Sequence, residues 1–182
     1  HLTGEQKAIF WELHLLTATP TFYVANVDQD ELKGGGSCLK ALSKWAQKEG
    51  SKVVVICGDL ESEMAELKED EREDFRRELG LEGSSLERLI RVGYEVLKLV
   101  TFYTTVSSEL RAWTVPEGTL APKAAGKIHS DMERGFIRAE ILSFSDFMDC
   151  GSEHAAREKG FLRSEGKDYL IRDGDVVHFR FN

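Results

Sequence analysis

Two short runs of β-branched and aromatic residues constrain this chain more than anything else in it: Thr21–Val27 (TFYVANV) and Lys52–Cys57 (KVVVIC). Neither run alternates polar with apolar residues. Each reads as a strand covered on both faces, the habit of parallel sheets. An acidic turn and Gly34-Gly35-Gly36 follow the first run. Ser37–Lys48 then places Leu39, Leu42, Trp45 and Ala46 on one helical face, and Gly50 stops that helix. Strand, helix, strand at this spacing is a βαβ unit, whose crossover is right-handed in nearly all cases. The fold class expected for this part is α/β.

The flanks extend the pattern. Residues 2–16 read as a helix, with Leu2, Ile9, Leu13 and Leu16 near one stripe, Thr3 and Gln6 as a capping box, and Pro20 ending the stretch. Leu60–Leu79 is a highly charged helical stretch whose acid–base mixture marks a solvated face. Ser84 or Ser85 caps a further helix, Leu86–Leu97, with Leu86, Leu89, Ile90, Gly93 and Leu97 as its buried stripe. Past Leu99 the texture changes. Short strands are expected at Thr101–Thr105, Leu110–Val115, Phe136–Leu142, Tyr169–Ile171 and Val176–Phe181, with helical pieces at Ser145–Asp149 and Glu153–Lys159. That mixture is α+β, and a domain boundary is expected near Leu99.

Composition narrows the function classes. Of 182 residues, 41% are hydrophobic and 31% charged, enough for a real core, and no apolar run reaches the ~18 residues of a membrane span. Three scattered cysteines (Cys38, Cys57, Cys150) fit neither a disulfide framework nor a zinc site. A reducing, cytoplasmic setting is expected. The net charge is −8, of which −6 lies in residues 1–98 and −2 in 99–182. Neither part binds polyanions by bulk charge, so contact with RNA would need a local patch.

Chemistry gathers where the strands end. Ligands of doubly wound sheets sit beyond the carboxyl ends of strands. That edge here offers Asn26-Val27-Asp28-Gln29 after the first strand and Cys57-Gly58-Asp59 after the second. P-loop GTPases grip their base at two such strand ends, with Asn-Lys-x-Asp and Ser-Ala-Lys. This chain keeps the Asn; Val27 and Gln29 replace the Lys and the Asp. A neutral amide lacks the paired acceptors that guanine's two donors require. Adenine is therefore expected over guanine, with the Asn26 amide meeting N7 and the exocyclic amine.

The stretches LLTATPTFYVANVDQDEL, VVVICGDLESEMAEL, LERLIRVGYEVLKLVTFYTT, LRAWTVPEGTLAPKAAGKIHSDMERGFIRAEILSFSDF and GKDYLIRDGDVVHFRFN, spanning about residues 13–182, resemble the YchF/Obg-like ATPase family. The resemblance implies the C-terminal half of a TRAFAC-class P-loop hydrolase that prefers ATP to GTP. Residues 1–19 would be the tail of an inserted helical, coiled-coil domain. Residues 20–98 would be the C-terminal part of the P-loop nucleotide-binding domain, and 99–182 a β-grasp, ubiquitin-like TGS domain. Asn26 matches the family's Asn, Gln29 stands where Glu is common, and Cys57-Gly58 replaces Ser-Ala or Ser-Gly.

No G-x-x-x-x-G-K-[ST] occurs in the sequence. Gly34-Gly35-Gly36-Ser37 lacks the Lys that a phosphate loop needs. Phosphoryl transfer also requires Mg²⁺ and a positioned water; the Mg²⁺ ligands are not in this chain, and alone it is not expected to hydrolyse ATP. The TGS resemblance, carried by Arg111-Ala112-Trp113-Thr114 and by His129 to Ile137, implies a ribosome or RNA contact. Its candidate residues are Arg111, Trp113, Lys123, Lys127, His129, Arg134 and Arg138; of these Lys123, Lys127, Arg134 and Arg138 form a modest basic cluster that reads either as an exposed solubilising surface or as a phosphate contact. His129, Asp131 and Glu133 have the alternate spacing of one strand face, but they lack a further ligand and stand beside Lys127 and Arg134, so a hydrogen-bonded loop that orders the sheet is expected there rather than a metal site. The competing reading is a stand-alone TGS interaction module without nucleotide chemistry.

Overall fold

The computed structural model describes residues 12–81, 83–106 and 109–182. Most of the helix expected over 2–16 lies outside them; a 3₁₀ turn at Leu16–Ala18 leads into the first strand. The chain divides into two compact units between Leu97 and Lys98.

In the N-terminal unit β1 (Phe22–Asn26) and β2 (Lys52–Ile56) pair in parallel, in register from Phe22↔Lys52 to Asn26↔Ile56. The expected acidic turn is a short helix, α1 (Gln29–Gly34). Asp28 starts it from extended backbone, its carbonyl accepting from the Glu31 and Leu32 amides, each at 3.1 Å. Asp30 and Glu31 in the first turn suit the helix dipole. Gly35, at φ 64°, ends α1, and α2 (Ser37–Glu49) starts within two residues. Gly50 closes α2 in the left-handed region, where the Ser51 amide donates to the Ala46 carbonyl at 2.8 Å.

The single charged helix expected over 60–79 is two, α3 (Gly58–Ala65) and α4 (Glu69–Glu78). Arg72 explains the break. Its guanidinium donates to the carbonyls of Met64 and Leu67, both at 2.9 Å, and so satisfies the C-terminal end of α3 from the next helix. Cys57, Leu60 and Met64 form a small core with Leu32, Phe75, Leu79 and Leu81.

Ser84 does cap α5 (Ser85–Leu97): its hydroxyl accepts from the Glu87 amide, and the Glu87 carboxylate accepts from the Ser84 amide, both at 3.0 Å. The stripe expected to be buried is not: Leu86, Ile90 and Leu97 are exposed. Toward β2 the helix turns Ser85 and Arg88, whose guanidinium donates to the Val55 carbonyl at 3.3 Å. Among the described residues this unit's sheet is two strands wide, and the apolar stripe lies exposed.

The C-terminal unit is a five-stranded mixed sheet, order β4-β3-β7-β5-β6, of β3 (Leu99–Val106), β4 (Glu109–Pro116), β5 (Phe136–Ser143), β6 (Arg163–Glu165) and β7 (Asp175–Phe181). The first and last strands lie side by side in parallel, while the other neighbours are antiparallel. A hairpin, a crossing helix and a parallel central pair make the expected β-grasp arrangement.

Alanines give α6 (Ala121–Ile128) its close approach. Ala121, Ala124 and Ala125 pack on Phe102, Ile141, Val177 and Phe179. Phe102 is fully buried, with the Phe179 ring edge-on at 5.9 Å. The other face carries α8 (Phe144–Cys150) and α9 (Glu153–Glu158), which cover Leu142 and Val176 with Ala156, Phe147 and Leu162. The strand expected at Tyr169–Ile171 is a single bridge, Leu120↔Leu170. There Tyr169 donates its hydroxyl to the buried Asp175 at 2.9 Å. The stretch 129–134, expected as a hydrogen-bonded loop, is a helical turn, α7 (Ser130–Arg134).

Candidate functional site

The parallel pairing brings the carboxyl ends of β1 and β2 side by side. The Val27 amide donates to the Ile56 carbonyl at 2.9 Å, carrying the ladder one step past both strands. Beyond it the Gly58 amide donates to Asn26 Oδ1 at 2.9 Å. Gly58 opens α3, so its N–H is one of the helix's four unpartnered donors, and the Asn26 side chain caps it from the neighbouring strand. With Oδ1 held this way, the Asn26 Nδ2 donors and one Oδ1 lone pair remain on an exposed edge.

Each neighbour has a distinct place. A Cβ on Gly58 would stand 3.3 Å from Asn26 Oδ1 and 3.6 Å from Nδ2, so this position favours glycine by close approach rather than by backbone twist. Cys57 turns its side chain into the core beside Leu60 and Met64 and offers the edge only its backbone. Asp28 is exposed at the cap of α1, one position before Gln29, which begins that helix. Gln29 lines a cavity of about 390 Å³ with Asp30, Leu32, Leu60, Leu79, Gly80 and Leu81.

The basic cluster expected in the second unit is divided. Lys123 pairs with Glu133, and Lys127 is exposed on the same helix, α6. Arg134 bonds Ser130 at 3.3 Å and faces Asp131 at 3.5 Å within α7. His129 caps α7, its Nδ1 accepting from the Asp131 amide at 3.2 Å. In this turn His129 Nδ1 also stands 3.5 Å from an Asp131 carboxylate oxygen, while Glu133 is taken up by Lys123. Among the described residues no three His, Cys, Asp or Glu side chains are grouped to hold a metal ion.

Arg111 pairs with Glu109 at 2.8 Å. Trp113 lies half-buried, its indole N–H donating to the buried Thr104 hydroxyl at 2.9 Å. Together with Ile128, Met132 and Phe181 they line an open cavity of about 590 Å³.

Arg138 belongs to the opposite face. Ala139 and Ile141 alternate into the core under α6, so Arg138 and Glu140 project the other way. There Arg138, Arg157 and Arg180 converge on Glu140, which is 8% exposed. The Arg180 guanidinium, helped by Arg138 and Arg157, holds this carboxyl down to about 2 against the opposing effect of burial. Arg157 and Arg180 escaped the sequence reading because they lie 19 and 42 positions from Arg138 and meet it only through strand pairing and the packing of α9.

Known proteins match along the whole chain. The family model described as YchF-GTPase_C, a protein of unknown function (DUF933), matches residues 99–182. The Ribosome-binding ATPase YchF of Escherichia coli O157:H7 is 49% identical over 181 residues, which are 100% of this chain and 50% of that protein. The chain belongs to the YchF family. The protein of the same name from Bacillus subtilis (strain 168) is 46% identical over 182 residues, covering 99% of the chain and 50% of its own length. The solved Schizosaccharomyces pombe YchF GTPase superimposes with a TM-score of 0.86 at 31% identity, over 99% of this chain and 48% of that one. The chain thus spans about half the length of the YchF relatives it matches, and the two strand tips and the β-grasp sheet both fall within that half.

Proposed function

We propose that this YchF-family chain supplies the base-recognition edge and an interaction domain of an ATP-binding, ribosome-associated hydrolase. The observation that carries this reading is the bond from the Gly58 amide to Asn26 Oδ1. It locks two strand tips together and presents the Asn26 Nδ2 to a purine N7, with the second lone pair of Oδ1 free for an exocyclic amine. Gln29 in place of a carboxylate favours adenine over guanine, because guanine's N1 and N2 donors would be left without paired acceptors. In this reading residues 20–98 are the C-terminal part of the nucleotide domain. The exposed stripe of Leu86, Ile90 and Leu97 seats the remainder of that domain. The phosphate loop, the Mg²⁺ ligands and the catalytic water are supplied by residues outside this chain, which has no G-x-x-x-x-G-K-[ST].

Residues 99–182 act in this account as the TGS interaction domain with the ribosome as its partner, a reading supported by the similarity to proteins named Ribosome-binding ATPase YchF. Two measurements test the proposal. Fluorescent ATP and GTP analogues are titrated with Mg²⁺ against the chain, and ATP is expected to bind more tightly; equal or tighter GTP binding removes the adenine assignment. Ribosome cosedimentation is expected to depend on residues 98–182, and cosedimentation that survives their deletion removes the ribosome contact from this unit.

A further inference from the structure

The sheet face away from α6 holds more cationic charge than its buried carboxylate needs. Arg180 alone satisfies Glu140 bidentately, its Nε donating to Oε1 at 3.3 Å and a terminal nitrogen to Oε2 at 3.1 Å. Arg138 nevertheless donates to Oε1 at 3.0 Å and Arg157, from α9, to Oε2 at 3.3 Å. Arg138 and Arg180 stand directly opposite across β5 and β7, an arrangement of like charges that is unfavourable in a sheet. Glu153 offsets part of the excess, accepting from Arg157 at 3.4 Å and from the Thr105 hydroxyl at 3.2 Å. Three guanidiniums thus face two carboxylates on a chain of net charge −8.

Burial sorts the signs. The Glu140 side chain is 10% exposed, whereas those of Arg138, Arg157 and Arg180 are 51%, 51% and 43% exposed. The carboxylate is hidden as an organiser, and the guanidiniums show outward with donors to spare. Side chains fixed in this way lose little further freedom on binding an anion, and the planar fork matches phosphate oxygens.

We propose that Arg138, Arg157 and Arg180, gathered on Glu140, form a site for the phosphodiester groups of RNA, through which the C-terminal unit grips the ribosome. This rests on the ribosome contact proposed above and deepens it: the contact is to RNA backbone, on the sheet face that carries α9, and not on the α6 side where Lys123 and Lys127 lie. Glu140 is the positioning residue, and the three arginines touch the ligand.

The test uses the whole chain and a fluorescein-labelled 20-nucleotide oligouridylate, with binding read by anisotropy from 50 to 200 mM KCl. Losing one phosphate contact lowers the salt slope by about 0.7, which is roughly eightfold in affinity at 50 mM salt and threefold at 200 mM. Arg157→Gln, at a half-exposed side chain of α9 outside the core that Ala156 joins, is expected to show this loss, and Arg157→Gln with Arg180→Gln about twice the slope change. Lys123→Gln with Lys127→Gln is expected to leave the slope unaltered.

The proposal is overturned if the arginine variants bind oligouridylate like the unmodified chain, if the lysine variants carry the loss, or if an oligoglutamate peptide binds as tightly with the same dependence on Arg157. Ribosome cosedimentation separates the two ideas. Loss on deleting 98–182 but not in the arginine variants removes this site and keeps the ribosome reading. Cosedimentation indifferent to that deletion removes the ribosome reading, and the oligouridylate slopes then decide the phosphodiester site alone.

Discussion

Replacing Asn26 in two ways separates its structural work from its proposed recognition work. In Asn26→Ala the Gly58 N–H loses its acceptor at 2.9 Å. The bond lies on an exposed edge where water can replace part of it, and it caps the start of α3, so the expected cost is about 1 kcal/mol. Asn26→Asp keeps an oxygen in the same place and sets a negative charge at a helix N-terminus. This contributes ~0.3–1 kcal/mol in the favourable direction and should leave stability equal or slightly raised at pH 7. The carboxylate has no N–H, however, so the donor to a purine N7 is gone in both variants. Affinity for ATP should fall about two- to tenfold in each, the worth of one neutral hydrogen bond. Urea unfolding gives the stabilities, and fluorescent-nucleotide titration gives the affinities. If Asn26→Asp destabilises as much as Asn26→Ala, the cap is not what joins the strand tips. If it binds ATP undiminished, the Asn26 amide is not the donor to the base.

Further outcomes follow from the second unit. The carboxyl of Glu140 titrates at about 2 rather than near 4.5, so folding protects its charged form. The associated stability is fully present above pH ~4.5 and drains away as pH falls toward 2, roughly 3 kcal/mol in all. Acid titration of unfolding should show that decline in the unmodified chain and a flatter profile in Glu140→Gln. Phe102→Ala empties a fully buried site against Phe179, and thermal unfolding should register a loss of about 3–5 kcal/mol. At Gly135 a methyl group would collide with the Asn182 backbone oxygen. Gly135→Ala should therefore cost about 1–3 kcal/mol and raise hydrogen exchange at the Asn182 amide, which donates to the Gly135 carbonyl.

What the sequence made legible was whatever depends on local pattern. Uninterrupted β-branched runs marked β1 and β2, Gly50 marked the end of α2, and the serine pair Ser84-Ser85 marked the start of α5, because each device acts within a few residues. What it hid depends on partners far along the chain. The break between α3 and α4 rests on the Arg72 side chain reaching back to two carbonyls, and a charged helical pattern carries no trace of that. The stretch 129–134 read as a hydrogen-bonded loop, and its bonds are those of a helical turn that His129 caps.

The α5 stripe has the right period for burial, but period cannot say whether a partner surface is present. The tips at Asn26 and Gly58 were readable as a pair from strand endings alone. Their bond was not, since it needs the backbone of α3 aimed at a side chain 32 residues earlier. The arginine array was hidden for the same reason: register across β5 and β7, not proximity in sequence, places Arg180 beside Arg138.

The central claim is that the tips of β1 and β2 together hold an adenine ring. Amide NMR of ¹⁵N-labelled chain during ATP titration tests it most directly, because it reads the Asn26 side-chain NH₂ and the Gly58 amide separately. The account predicts that these two signals move first and together with ATP, and less with GTP. Shifts confined to residues 98–182, or signals at Asn26 and Gly58 that stay still while ATP binds, would contradict it.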